Sequence, residues 1–555
     1  MLEKFFILII SIFLVLSAGS ANIFPIYLQK LMDKYNFTLY ETNLYGSFIT
    51  LGTWVGFPIG YIYDSYGPKI SILIGTIFIS GGYYLLYFLL NTNYYLNVSI
   101  YPFLFLGFFL GQGCSLLYTT ALATNLKNFK FKQNSSIVGL LVSNIAISPS
   151  IFTTYRQLLG NSDETFYFYF SIFLFLIGFF SMFIVSNIRY PYLEDNLLKK
   201  YQKYKEKRII ACLTYYNFFI IIIFVFGVLY NYFKDKYIVP LIIIYPILQL
   251  LSFSLIFLEN FGFFDKLYYP SFRKKMDLIA EKQLEMQNLQ NEEINNKHNT
   301  SSNNNTNNNN IINNQLILKE RDISSIKEIE ADFIISLKSP KLILLFFSLF
   351  LGLGSTMSSI SNINFILKSL SYKIHYNGIN KGLISIYKAK ELFFYVILYF
   401  TFNSLIRISS VSFLDFLIKK NKLILYFIIF SIIGFISQLT GILMNKKLLY
   451  LSIALGGATH GAYMSFIPIF VKNEFGLKNM GKFLGLLTSG AGFGSIIISE
   501  FVFTYLYNYY TKISGEIQCF GKQCFKLTFI LTSIFLQLIF SSHFFFFFFK
   551  EKNKI

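Results

Sequence analysis

Between residues 5 and 549 the chain returns repeatedly to apolar stretches of twenty or more residues, and nothing else in it constrains the fold as much. The hydrocarbon core of a bilayer takes about 20 mostly apolar residues per helix, at about 1.5 Å of rise each. Segments of that kind read at 5–28, 43–63, 68–90, 99–125, 134–155 and 165–187, then 209–232 and 238–258, then 341–364, 391–416, 423–443, 449–472, 481–508 and 527–549. Their order is six, two, six. With 54% hydrophobic and 14% charged residues, the chain has too little polar surface to be wetted as a soluble protein. The expected class is therefore an all-α polytopic membrane protein with about 14 transmembrane helices, whose first partner is the lipid bilayer.

Charge sets the orientation. Lys and Arg outnumber Asp and Glu by 48 to 28, but they stand in short clusters between apolar runs, which argues for the positive-inside pattern and against a nucleic-acid partner. "KNFKFK" (127–132), "KKYQKYKEKR" (199–208), "RKK" (273–275) and "KKNK" (419–422) all fall on one side if both termini are cytoplasmic. One stretch disagrees. Residues 365–390, expected outside, carry Lys368, Lys373, Lys381, Lys388 and Lys390, so the start of the tenth segment is the least defined boundary. At the N-terminus, Lys4 followed by an apolar run and "SAGSA" imitates a signal peptide, but the run continues to Leu28, long enough for an uncleaved first helix.

These features divide the chain into a first six-helix bundle (1–190), a basic linker with two extra helices (191–258), a hydrophilic region (259–340) and a second six-helix bundle (341–555). The hydrophilic region passes from "KKMDLIAEKQLEMQNLQNEEI" into the Asn-rich run "NNKHNTSSNNNTNNNNIINNQ", which has too little apolar surface to offset chain entropy and reads as largely disordered and cytoplasmic. A regulatory loop and a mere expansion of Asn codons both fit it.

Between the second and third segments stands "GYIYDSYGPK", Gly60 to Lys69. Gly60 permits close helix contact, Gly67 and Pro68 force a reversal, and Asp64 is free to face the positive end of another helix. Gly60, Asp64, Gly67, Pro68 and Lys69 match the G-x-x-x-D-x-x-G-[RP]-[RK] motif, and with the six, two, six order the chain resembles the major facilitator superfamily. Residues 111–155, "GATHGAYMSFIPIFVKNEFGLKNMGKFLG" (457–485) and "CFGKQCFKLTF" (519–529) are similar to the nodulin-like, or monocarboxylate-permease-like, branch. The resemblance implies two six-helix bundles that move by alternating access around a small polar or anionic organic solute, monocarboxylate- or amino-acid-like. It implies that Asp64 latches the cytoplasmic side near Gly481, and that Cys519 and Cys524 pair on the other side. The second-half counterpart of the motif survives as Asn403, Arg407 and Asp415, with Ser, Ser and Val where glycines are expected. The Arg-Gly usual after segment 4 is replaced near Asn134 and Ser135.

In such a fold the solute sits near the midplane, where polar side chains are costly unless paired or lining water. Candidates are Ser20 and Asn22, then Gln112, Tyr118 and Thr119, then Asn144, then Thr356 and Asn362. Each also fits a role as a hydrogen bond between helices. His460 is a candidate for coupling a proton, or else a neutral histidine bonded to a neighbouring helix. Glu500, acidic well inside a segment, is either functional or paired with Arg156.

Enzymatic readings find no support. "GQG" lies within an apolar helix without the strand-turn-helix context of a phosphate loop, and His298, His375, His460 and His543 have no metal-ligand spacing. Cys114 and Cys212 lie in apolar runs as small hydrophobes. No catalytic residue, cofactor or metal is expected, and a monomer is. The rival class is a non-transporting receptor or scaffold on the same fold, signalling through 259–340.

Overall fold

The computed structural model describes residues 2–234 and 331–552, apart from 92–98, 130–133, 160–162, 188–195, 371, 378–379, 386–388, 421, 444 and 515–518, and also Ile247 and Leu251. The extra segment expected at 238–258 and nearly all of the hydrophilic region therefore lie outside the described residues.

Helix α1 (Leu2–Ala18) runs into a 3-10 segment, Gly19–Ile26, and a short α2 (Leu28–Tyr35). Helix α3 (Leu39–Trp54) opens on a capping box in which Thr38 and Glu41 satisfy each other's backbone donors. Helix α4 (Phe57–Asn91) follows after two residues. The apolar stretch Leu44–Asn91 has 48 residues, roughly 70 Å of helix, which is twice what a bilayer core needs and so must be two passes. The break is at Gly67, whose φ of 79° is open to glycine and strained for other residues, and Pro68 restarts the helix. Helices α5 (Tyr101–Asn128), α6 (Asn134–Leu159) and α7 (Asp163–Ile184) complete the first bundle, and the long α8 (Asn196–Lys234) follows it.

The second bundle starts with a turn of helix, α9 (Phe333–Ser336), capped by Asp332. It continues through α10 (Pro340–Ser361) and α11 (Ile363–Leu370). Strands β1 (Tyr372–Asn377) and β2 (Asn380–Ser385) pair antiparallel, Tyr372 opposite Ser385 and Asn377 opposite Asn380. This hairpin occupies the lysine-rich stretch whose charge disagreed with its expected side. Then come α12 (Ala389–Lys419), α13 (Leu423–Ile442), α14 (Lys446–Phe475) and α15 (Met480–Ile496), a π-helical turn at Ile497–Thr504, α16 (Tyr505–Ser514) and α17 (Gln523–Lys552). Among the described residues ten stretches are long and apolar enough to cross a membrane, and the protein is a multi-pass membrane protein with the hairpin as its sole described sheet.

The bundles meet along two seams, α3 and α4 against α15, and α6 against α12. The first is a glycine seam. Gly56 and Gly60 on one side face Gly485 and Gly481 on the other, both pairs four residues apart, and a β-carbon on Gly60 would stand 2.0 Å from the Gly481 carbonyl oxygen. Without a hydrophobic driving force between helices in lipid, such small-residue stripes let backbones close to van der Waals contact. Helix α8 packs on the second seam, touching both α6 and α12. In the first half of α8, Glu206 forms a buried ion pair with Lys4 of α1.

Candidate functional site

Eight elements converge on one cavity between the bundles. The helical period places its lining. Phe400, Asn403 and Arg407 lie on one face of α12, His460 and Met464 one turn apart on α14, and Leu484 and Thr488 one turn apart on α15. The first bundle contributes Ala18 and Asn22, Thr53 and Trp54, Cys114, Ser115, Tyr118 and Thr119, and Ile145 and Ala146. Among the described residues no carboxylate lines it.

The polar groups at this cavity are short of partners. Arg407 is buried and donates from Nη1 to the carbonyl of Val142 on α6 at 2.9 Å, while its Nε has no partner among the described residues. The same holds for Nε1 of Trp54, Nε2 of His460 and both amide atoms of Asn403. Nδ1 of His460 is 2.8 Å from the Tyr399 hydroxyl, and its ring lies 5.6 Å from that of Trp54. When Tyr399 donates to Nδ1, Nε2 carries the proton and becomes a third N–H donor beside Arg407 and Trp54. Buried polar groups are normally paired, so this concentration of unpaired donors is what a binding site for an acceptor looks like.

Of the candidates read from the sequence, the cavity brings together Asn22, Tyr118, Thr119 and His460, and adds Arg407, which had been read as part of the gating motif. Four others lie elsewhere. Gln112 donates to the carbonyls of Gly52 and Val55, fastening α5 to the C-terminal end of α3. Asn144 donates to Leu140 and to Asn217 of α8. Asn362 donates to Ser499 and Ser358. Glu500 accepts from Ser47 of α3 at 2.6 Å, a hydroxyl of the opposite bundle, so its partner is not Arg156. Ser20 and Thr356 likewise fall outside the lining. Asn403, read with Arg407 as part of the second-half motif, lines the cavity too. Trp54 had not been singled out, although a single tryptophan in 555 residues marks an expensive position.

The motif residues gather at one end of the glycine seam. Asp64 accepts the backbone N–H of Lys482, in the first turn of α15, at 3.1 Å, and the ammonium of Lys127 at 3.3 Å. Lys69 is exposed and Pro68 buried. On the second seam Asp415 accepts from Ser135 of α6, and Arg407 stands two turns away in the cavity, not beside it. Cys519 and Cys524 are joined by a disulfide, their α-carbons 5.9 Å apart. Among the described residues no group of His, Cys, Asp and Glu could hold a metal.

A family profile described as nodulin-like matches residues 4–256. A protein of Wickerhamomyces anomalus described as "Probable transporter MCH1" is 29% identical over 201 residues, 35% of this chain and 40% of that one. Its namesake from Debaryomyces hansenii is 30% identical over 122 residues, 21% of this chain and 25% of that one. The aligned part thus spans less than half the length of these relatives. Among solved structures, the major facilitator proton:xylose symporter XylE, bound to 6-bromo-6-deoxy-D-glucose, superposes with a TM-score of 0.52 at 11% identity, over 96% of this chain and 95% of that one.

Proposed function

We propose, from the premise that this chain is a nodulin-like member of the major facilitator superfamily, that it carries a small anionic organic solute across a membrane by alternating access. The observation that carries the reading is the cavity itself. Among the described residues its one charged side chain is the Arg407 guanidinium, it has N–H donors to spare, and no carboxylate is there to pair a solute ammonium. A guanidinium presents a planar fork that matches a carboxylate. The cavity therefore favours a monocarboxylate-like solute over an amino-acid-like one. The xylose named with XylE is a neutral sugar, and the Arg407 cavity argues for a different solute here.

In this reading the glycine seam opens and closes around the site, the Asp64 end is cytoplasmic, and His460 is the group that takes a coupled proton. His460 lines the same cavity, so solute and proton bind within reach of each other. The chain acts as a monomer, one cavity per copy.

Uptake into proteoliposomes tests the reading. Labelled acetate, pyruvate and lactate, with glycine and xylose as neutral or zwitterionic comparators, should give saturable uptake of at least one carboxylate and none of the comparators. Arg407→Lys, which keeps the charge and loses the fork, should raise KM about tenfold. Uptake of a comparator in preference to every carboxylate would overturn it.

A further inference from the structure

Asn217 sits in the middle of α8, within "CLTYYNFFIIIIF", where an amide is expensive unless it is bonded. Its amide nitrogen donates to the Ser143 hydroxyl at 3.1 Å and its amide oxygen accepts from Asn144 at 3.2 Å, both on α6. Those two residues directly follow Val142, whose carbonyl holds the Arg407 guanidinium at 2.9 Å. The Ser143 carbonyl in turn accepts from Ser404 of α12 at 2.9 Å, one turn before Arg407 on the same face. One short stretch of α6 is thus held by α8 on one side and holds the cavity's charged side chain on the other.

Apolar packing gives the contact a second anchor. Ile220, Ile221 and Phe224 of α8 form one buried cluster with Ile147 and Ile151 of α6 and Ile397 of α12. Packing of this kind fixes how far α8 stands from the seam, but it does not fix the rotation of α6 about its own axis. Directional hydrogen bonds do that.

We infer that Asn217 is a positioning residue for the anion site: by tying Ser143 and Asn144 it sets the rotation of α6 at Val142 and so the place of the Arg407 guanidinium. The extra helix, which a twelve-helix transporter lacks, thereby belongs to the site without touching the solute. The inference rests on the reading of the cavity as an anion site, and its test is independent of transport.

The only tryptophan of the chain, Trp54, lines the cavity and reports on it. Its emission in the purified full-length protein is quenched with iodide, an anion, and with acrylamide, which is neutral, at constant ionic strength. The ratio of the two quenching constants reads the positive charge presented to Trp54. Asn217→Leu, close in shape and without the amide, should lower this ratio about twofold while leaving acrylamide quenching unchanged, because a displaced charge attracts fewer anions to the ring. Asn217→Gln should restore most of it. In an Arg407→Gln background, Asn217→Leu should change nothing further. If Asn217→Leu fails to fold, Asn217→Ser is read in its place. A wild-type ratio in folded Asn217→Leu or Asn217→Ser, or an equal drop in the Arg407→Gln background, would overturn the positioning role. An Arg407→Gln protein with the wild-type ratio would strike the anion reading as well.

Discussion

The carboxylate of Asp64 accepts the backbone N–H of Lys482 at 3.1 Å, so an acid of the first bundle is held by the opening turn of a helix in the second. The N–H groups of that turn have no partner within their own helix and carry the positive end of its dipole. Lys127, from the same bundle as Asp64, steadies the carboxylate at 3.3 Å while its ammonium lies 4.5 Å from the centre of the Tyr63 ring. Asp64→Asn keeps the shape and removes the charge. A contact of this kind is worth up to about 2 kcal/mol, enough to move a two-state population by more than tenfold. The variant should fold, reach the membrane in normal amounts and lose most of its flux. Normal flux at equal abundance would remove Asp64 from the gate.

A larger effect is expected four residues before Asp64. Gly60→Ala places a methyl 2.0 Å from the Gly481 carbonyl oxygen, and backbone cannot yield as a side-chain tip does. Closing the seam over it should cost about 1–3 kcal/mol, a shift of about 5- to 150-fold toward the conformer in which α4 and α15 are apart. Spin labels at Tyr66→Cys and Lys478→Cys, both exposed positions at this end, in a background lacking Cys114 and Cys212, would show it as growth of the longer distance. An unchanged distance distribution would mean that the seam does not open there.

Substituting His460 separates proton coupling from packing. Glutamine keeps a group able to bond the Tyr399 hydroxyl, which lies 2.8 Å from Nδ1, but takes up no proton. His460→Gln should therefore retain carboxylate exchange and lose accumulation driven by a pH gradient. Gradient-driven accumulation equal to that of the unaltered protein would return His460 to a structural role.

The helices were readable because span length is a matter of arithmetic, and Asp64 because a carboxylate between apolar runs has few uses. Much of the site was hidden for the same reason. A membrane helix is apolar on nearly every face, so its composition does not say which face looks inward, and candidates such as Asn144 and Asn362 proved to bond neighbouring helices. Arg407 was noticed through a motif, yet it is the period 400, 403, 407 on α12 that puts it in the cavity. The hairpin at Tyr372–Ser385 was masked by its lysines, which read only as a charge anomaly.

The disulfide between Cys519 and Cys524 closes a loop too small to matter much through chain entropy, about 2 kcal/mol before strain, so its importance lies in what it orients. Both sulfurs are buried in a cluster with Ile366 of α11, Phe503 and Tyr507, and Phe525 and Phe529 of α17. Gly521, at φ 101°, makes the turn between them and donates its N–H to the Ser369 carbonyl at the end of α11, at 2.9 Å. The Cys519 N–H is bonded to the Tyr507 hydroxyl at 3.3 Å. The loop thus ties the entrance of α17 to α11 and α16; in the proposed orientation this end, opposite Asp64, faces an oxidising compartment where such a bridge persists. Denatured without reductant, the protein should take up two alkylating groups, on Cys114 and Cys212, and four after reduction. The double variant Cys519→Ala and Cys524→Ala should melt a few degrees lower and become more readily proteolysed between α16 and α17, while Trp54 quenching by acrylamide stays as it was. Four groups taken up without reductant would refute the bridge and, with it, the assignment of this end to an oxidising compartment.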